Sequence, residues 1–184
     1  MGKACRVSVP FGVRLALRSP AASSLRAAFI APAAAWAALI VLAPFLASRP
    51  HGSPIASAVI VGVYGIGSAI CHQLPERSFH LWSVQMPVCA RCAGIYVGAV
   101  LGACAAMLRR PAAARRCSGD VVQRLAPARV RTALAIAVAP SLATLIYEWT
   151  TGVMPSHVIR AVAGVAIGVV AAWLVVAAAD NQVN

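Results

Sequence analysis

The chain has 184 residues, of which 61% are hydrophobic and only 11% charged, with a mean hydropathy of +0.82. Soluble domains carry about 25% charged residues, so this composition excludes an ordinary soluble fold and indicates an integral membrane protein. The net charge of +12 does not indicate nucleic-acid binding, because the basic stretches lack the interleaved aromatic side chains on which bases stack. We interpret the arginines as topology signals and contacts to lipid headgroups.

The composition of the N-terminal residues 1–26 predicts a flexible basic arm. A short amphipathic turn over residues 11–17 is predicted to lie on the lipid headgroups. The apolar run that follows shows no small-residue cleavage site of the kind that ends a signal peptide, so we interpret it as a membrane helix. The basic side chains of the arm are Lys3, Arg6, Arg14, Arg18 and Arg26.

Five apolar segments approach the length of about 20 residues that a helix needs to cross a hydrocarbon core of about 30 Å. Backbone groups in lipid must be bonded within their own segment, so each segment is predicted to be a helix. The fold class is therefore all-α, a polytopic membrane bundle of about five helices over residues 27–180, with a short tail at 181–184. The predicted helices are 27–47, 55–74, 88–108, 132–149 and 158–179.

The loop at residues 109–131 carries the densest positive charge, which places it in the cytoplasm by the positive-inside rule. With five crossings, the loop at 75–87 then lies outside. The same rule disfavours an external basic arm. Either the arm is cytoplasmic and the 75–87 loop is then cytoplasmic too, or one apolar segment does not span the membrane. We favour the extracytoplasmic loop, in a multi-pass protein of the bacterial inner membrane whose partner is the lipid bilayer.

Glycines recur every four residues in the third segment, at Gly94, Gly98 and Gly102, and Gly164 and Gly168 repeat the spacing in the fifth. Small residues on one helical face allow close helix approach in membranes. The third segment is therefore predicted to lie at the centre of the bundle. The same three-glycine face is a candidate contact for a homo-oligomer, and no other protein partner is indicated.

The candidate chemistry lies in residues 71–102, CHQLPERSFHLWSVQMPVCARCAGIYVGAVLG. Cys71 and His72 are predicted to end the second helix, because Pro75 prevents its continuation. Cys89 and Cys92 begin the third helix, and their i, i+3 spacing places both sulfurs on one face. We therefore expect all four side chains to meet at one membrane boundary.

In one interpretation, Cys71, His72, Cys89 and Cys92 bind Zn²⁺ or another soft or borderline metal, for which thiolate and imidazole are the usual tetrahedral ligands. Neighbours on a helix point about 100° apart, so Cys71 and His72 can both ligate only where the helix frays into the loop. His80 is a spare ligand.

In a second interpretation, Cys89 and Cys92 exchange a disulfide and Cys71 is the resolving thiol. The positive end of the helix and the neighbouring Arg91 would stabilise the thiolate form. This chemistry needs a quinone or protein electron acceptor, which the sequence does not identify. A third interpretation is structural, since Cys packs well as a small apolar residue, and we read Cys104 in this way.

Charged residues cost about 2.5–3.5 kcal/mol at the middle of a membrane, so those near the apolar segments matter. Arg91 and Arg160 lie in the first turns of their helices, where the side chains can reach the interface. Glu148 closes the fourth helix, and a Glu148–Arg160 pair is natural across the short turn. With five crossings, Glu76 and Arg77 lie on the same side and complete a supporting polar cluster.

The two blocks CHQLPERSF and PVCARCAGIYVG, at this spacing, resemble the signature CHQxPxRSF…PVCxRCxGxYxG of a family of small bacterial and archaeal membrane proteins of unknown function. A weaker resemblance covers Pro140, Glu148, Arg160, Gly164 and Gly168. That family often has an Asp early in the fourth helix, where this chain has apolar residues, so an acidic role would fall on Glu148. The resemblance implies a membrane location and no activity.

Overall fold

The computed structural model describes residues 20–50, 53–108 and 127–181. Within these segments the predicted predominantly helical fold is confirmed, with five helices, and a small hairpin lies where the sequence predicts only a loop. The predicted turn at 11–17 and the arginine-rich part of the 109–131 loop lie outside the described residues. The elements are α1 (Pro20–Ala47), α2 (Pro54–Ile70), a 3₁₀ turn (Pro75–Arg77), β1 (Ser78–Leu81), β2 (Val84–Cys89), α3 (Ala90–Leu108), α4 (Pro127–Thr151) and α5 (His157–Asn181).

Three of the five helices are long and apolar enough to cross a membrane. Their spanning windows are Ile30–Ala47 in α1, Val130–Thr151 in α4 and His157–Val176 in α5. The apolar parts of α2 and α3 are shorter, at Pro54–Ile70 and Ala90–Ala106. Three candidate spans are thus established among the described residues, and crossings by α2 and α3 remain a prediction.

Several helix boundaries differ from those predicted from the apolar segments. Helix α4 begins at Pro127 and not at residue 132, and α3 begins at Ala90 and not at residue 88, so Cys89 belongs to strand β2. Helix α1 begins at Pro20, so the last part of the predicted flexible arm is helical, and proline is favoured at a first helical position because its φ is already set. Helix α2 ends at Ile70 and not at residue 74. Cys71 is extended, with φ −147° and ψ 140°, and Gln73 has a φ of 48°, so the chain leaves the helix before Pro75.

The hairpin packs beneath α1 and α2 and supplies part of the core. Strand β2 buries Met86 and Val88 against Ile40 and Ala43 of α1 and Val63 of α2. Burial of apolar side chains contributes about 25 cal/mol per Å², so this contact holds the hairpin to the helices. The chain between α2 and α3 is therefore an ordered part of the fold and positions the residues at its two ends.

Helix α3 packs directly on α5 through the predicted glycine face, and the expected close approach is present. A Cβ added at Gly102 would lie 2.6 Å from the Val169 carbonyl oxygen, so no larger side chain fits without movement of a helix. Because α5 of the same chain covers this face, a homo-oligomer contact through it is not supported. The collisions are those of Gly94 with Ala161, Gly98 with Val165 and Gly102 with Val169.

We predict that Gly98→Ala destabilises the protein by about 1–3 kcal/mol, because the added methyl group overpacks the α3–α5 contact. The measurement is thermal unfolding of the detergent-purified protein. Gly65→Ala in α2 is the matched control, since a Cβ there meets nothing within 4 Å. Equal stability of Gly98→Ala and wild type would show that the two helices are not in close contact.

Candidate functional site

Three thiols meet at the junction of α2, β2 and α3. The sulfurs of Cys71, Cys89 and Cys92 all lie within 4.8 Å of one another, and each residue is partly buried. Cys71 caps the end of α2, Cys89 is the last residue of β2, and Cys92 lies in the first turn of α3. We call these residues the thiol triad. The structure brings together three of the four residues of the predicted metal set.

Hydrogen bonds from two glutamine side chains hold the end of α2 against the hairpin. Gln73 Nε2 donates to the carbonyl oxygens of Tyr64, at 3.0 Å, and Pro87, at 2.7 Å. Gln85 Nε2 donates to the Gln73 carbonyl oxygen, and the Tyr64 hydroxyl donates to the Gln85 carbonyl oxygen. Because these bonds join α2 to β2, they keep Cys71 close to Cys89.

Tyr64, Gln73 and Gln85 position the thiol triad, although the sequence alone assigns them no role. The sequence feature that could have indicated this role is Gln73, a polar side chain two residues after Cys71 at the end of an apolar helix. Such a side chain needs a hydrogen-bond partner when it is buried. Its partners are carbonyl groups distant in the sequence, and only the folded structure identifies them.

The thiol triad favours a thiolate at Cys89, which lies just before α3 begins. A hydrogen bond from the Cys92 thiol lowers the pKa of Cys89 to about 5, against the opposing effect of its burial. The Cys89 backbone N–H donates to Cys71 Sγ at 3.3 Å, which links the first and second thiols. The thiolate is the form that ligates metals and attacks disulfides, so Cys89 is prepared for either reaction at neutral pH.

The histidines of the motif lie outside the thiol triad. In extended backbone, successive side chains point to opposite sides, so the extended conformation of Cys71 directs the next residue away from the sulfurs. His72 is accordingly exposed, as is His80 on β1. Within the described segments, the cluster that could hold a metal contains cysteine alone. A ligand role for His72 stays a prediction without geometric support.

Four of the five residues of the predicted polar cluster meet at α4. Buried Glu148 accepts from Arg77 Nη2 at 2.5 Å and from Arg160 Nη2 at 3.3 Å. Arg91 Nη2 donates to Thr144 Oγ1, at 2.9 Å, one turn before Glu148 on α4. Since Arg77 belongs to the 3₁₀ turn, its ion pair fastens the chain between α2 and α3 to α4 and α5.

A family model described as "Predicted membrane protein (DUF2085)" matches residues 71–174, which is more than half of the chain. The chain belongs to this family. The matched DUF2085 region begins at Cys71 and contains the whole thiol triad together with Glu148 and Arg160. The site thus falls within the part of the chain that carries the family resemblance.

Two archaeal proteins are similar to parts of this DUF2085 member. An uncharacterized protein of Methanocaldococcus jannaschii is 43% identical over 63 residues, which cover 34% of this chain and 40% of that protein. An uncharacterized protein of Methanothermobacter thermautotrophicus is 57% identical over 30 residues, which cover 16% of this chain and 27% of that protein. The similarity therefore spans less than half of either relative. No solved structure matches the chain.

We predict that Glu148→Gln destabilises the protein by about 3–5 kcal/mol, because it leaves the Arg160 guanidinium buried without a counter-charge. Chemical or thermal unfolding in detergent would measure the loss. The control is Glu76→Gln, which removes an exposed carboxylate that makes no ion pair with Arg77, Arg91 or Arg160. Similar stabilities of the two variants would contradict a structural role for the buried ion pairs.

Proposed function

We propose that this protein is a multi-pass bacterial inner-membrane protein that binds a soft or borderline metal, Zn²⁺ in the first instance, through Cys71, Cys89 and Cys92. The observation that carries the proposal is the convergence of three sulfurs within 4.8 Å from three separate elements. In this proposal α2 and α3 also cross the bilayer, and the thiol triad lies at its extracytoplasmic face.

The chemistry and spacing of the thiol triad fit such a metal. Zn–S bonds of about 2.3 Å in a tetrahedron separate the sulfurs by about 3.8 Å. Small side-chain rotations are therefore sufficient to bring the three sulfurs to this spacing. Thiolates select zinc and other soft ions over magnesium and calcium, which prefer oxygen ligands. The lowered pKa of Cys89 supplies one thiolate before any metal arrives.

The three protein ligands that the described residues supply leave the fourth position of a tetrahedral ion to solvent or to an exchangeable ligand. Closed structural zinc sites use four protein ligands, whereas sites that use the metal keep one position open. Exposed His72 does not fill that position in the structure. We therefore favour a site that exchanges or uses its metal over a purely structural one.

The alternative function is thiol–disulfide exchange by Cys89 and Cys92, supported by the lowered pKa of Cys89 and the adjacent Cys92 sulfur. Forming the disulfide releases two protons and two electrons, so a quinone or protein disulfide must accept the electrons. Cys71 is then the resolving thiol. This alternative uses the same residues as metal binding. It differs in its observable consequence, which is that two free thiols are lost on oxidation and return on reduction.

We predict about one zinc ion per chain in protein purified in detergent without a metal-binding tag, because the triad supplies a single three-thiolate set. Elemental analysis by mass spectrometry is the measurement. The Cys89→Ser/Cys92→Ser variant should lose the metal. Cys104→Ser, which changes an exposed cysteine further along α3, should keep it. Full metal occupancy in the double variant would refute binding at the thiol triad.

The redox alternative predicts that two thiols per chain are absent from oxidised, metal-free protein and return on reduction. Counting free thiols before and after a thiol reductant tests it, and mass spectrometry of proteolytic fragments identifies the pair. Cys104→Ser again serves as the control and should show the same two-thiol change. If Cys89 and Cys92 stay reduced under excess oxidant, disulfide exchange is not the function.

A further inference from the structure

Two guanidinium groups share the carboxylate of Glu148 where α5 begins, and a third lies close by. Each oxygen of Glu148 accepts from a different arginine, Oε1 from Arg77 and Oε2 from Arg160. Among the described residues, Arg91 has only the neutral hydroxyl of Thr144 as its hydrogen-bond acceptor. Three positive charges and one negative charge give this group a net charge of +2.

Packing places Arg91 beside the other two arginines. Thr144, which binds Arg91, precedes Glu148 by one turn on the same face of α4. Gly164, which follows Arg160 by one turn on α5, lies against the backbone of Arg91. Arg91 therefore lies about one helical turn from the Glu148–Arg160 pair. The three arginines form one group and not three separate surface charges.

Several nitrogens in this group are buried and have no hydrogen-bond partner in the part of the chain that the structure describes. They are Nε of Arg77, Arg91 and Arg160 and Nε2 of His157. Arg160 is only 3% exposed, and His157 lies one turn before it with its ring 5.6 Å from Phe79. Leaving a buried polar group without a hydrogen-bond partner is unfavourable, and more so when the group is charged. Within the described residues, the group thus has more side-chain nitrogens than hydrogen-bond partners.

We propose that Arg77, Arg91, Arg160 and His157 form a binding site for a phosphate group, here called the arginine cluster. Guanidinium groups bind phosphate oxygens through paired, charge-assisted hydrogen bonds, and a net charge of +2 suits one phosphate. The start of α5 adds the positive end of a helix dipole. Arg77, with a side chain 37% exposed, gives the ligand access from outside.

The position of the arginine cluster admits two sources of phosphate. It lies at the start of α5, a candidate membrane span, where the phosphates of lipid headgroups are found. The phosphate therefore belongs either to an anionic phospholipid or to a free phosphate ion. The site uses none of the three cysteines, so this proposal stands or falls independently of metal binding at the thiol triad.

The test is a binding titration of the detergent-purified protein. The readout is the shift of its unfolding temperature as ligand is added. One arm uses inorganic phosphate, and the other uses phosphatidylglycerol against phosphatidylcholine. We expect Arg91→Gln to weaken binding about 10-fold or more, because it removes one charge-assisted contact and spares both ion pairs of Glu148. Arg49→Gln, which removes an exposed charge at the end of α1, is the matched control and should bind like wild type.

Stabilisation by inorganic phosphate supports a free-ion site, and stabilisation by phosphatidylglycerol alone supports a headgroup site. Arg160→Lys is a second variant, which keeps a charge beside Glu148 but loses the guanidinium fork, and it should also bind about 10-fold more weakly. No stabilisation of wild type by either ligand would overturn the proposal. Equal affinities of Arg91→Gln and Arg49→Gln for the ligand would do the same.

Discussion

The site depends on one constraint, which is that the polar backbone between two apolar helices must find hydrogen-bond partners. The chain between α2 and α3 meets this requirement by pairing with itself as a hairpin, with Ser78 opposite Cys89. The side chains of Gln73 and Gln85 donate to carbonyl groups of both α2 and β2 and of the turn that follows α2. Cys71 is consequently held beside Cys89, and the thiol triad is a product of this backbone arrangement.

The glycine contact between α3 and α5 has an equally direct effect on the polar residues. Close approach of the two backbones places Arg91 of α3 within about one turn of Arg160 on α5. Glu148 then joins Arg160 to Arg77, which precedes the hairpin. The packing of small residues thus brings three arginines close to a single carboxylate, which pairs with Arg77 and Arg160.

The thiol triad and the arginine cluster are neighbours at one end of the bundle. Arg91 lies between Cys89 and Cys92 in sequence, and Arg77 belongs to the segment that joins Cys71 to β1. A ligand bound by the arginines would therefore act on the same short segments that hold the sulfurs. The two chemistries are distinct, since thiolates select soft metals and guanidinium groups select oxyanions.

Composition and spacing alone determined the predominantly helical fold, the close-packing glycines and the cysteines that meet, because these follow from local periodicity and the burial of apolar segments. The hairpin was not predictable, since its turn places Trp82 and Ser83 at positive φ without the usual Asn or Gly signal. Tertiary structure also decided that α5 covers the glycine face and that His72 points away from the sulfurs. Both outcomes depend on contacts and backbone conformation that no local pattern in the sequence specifies.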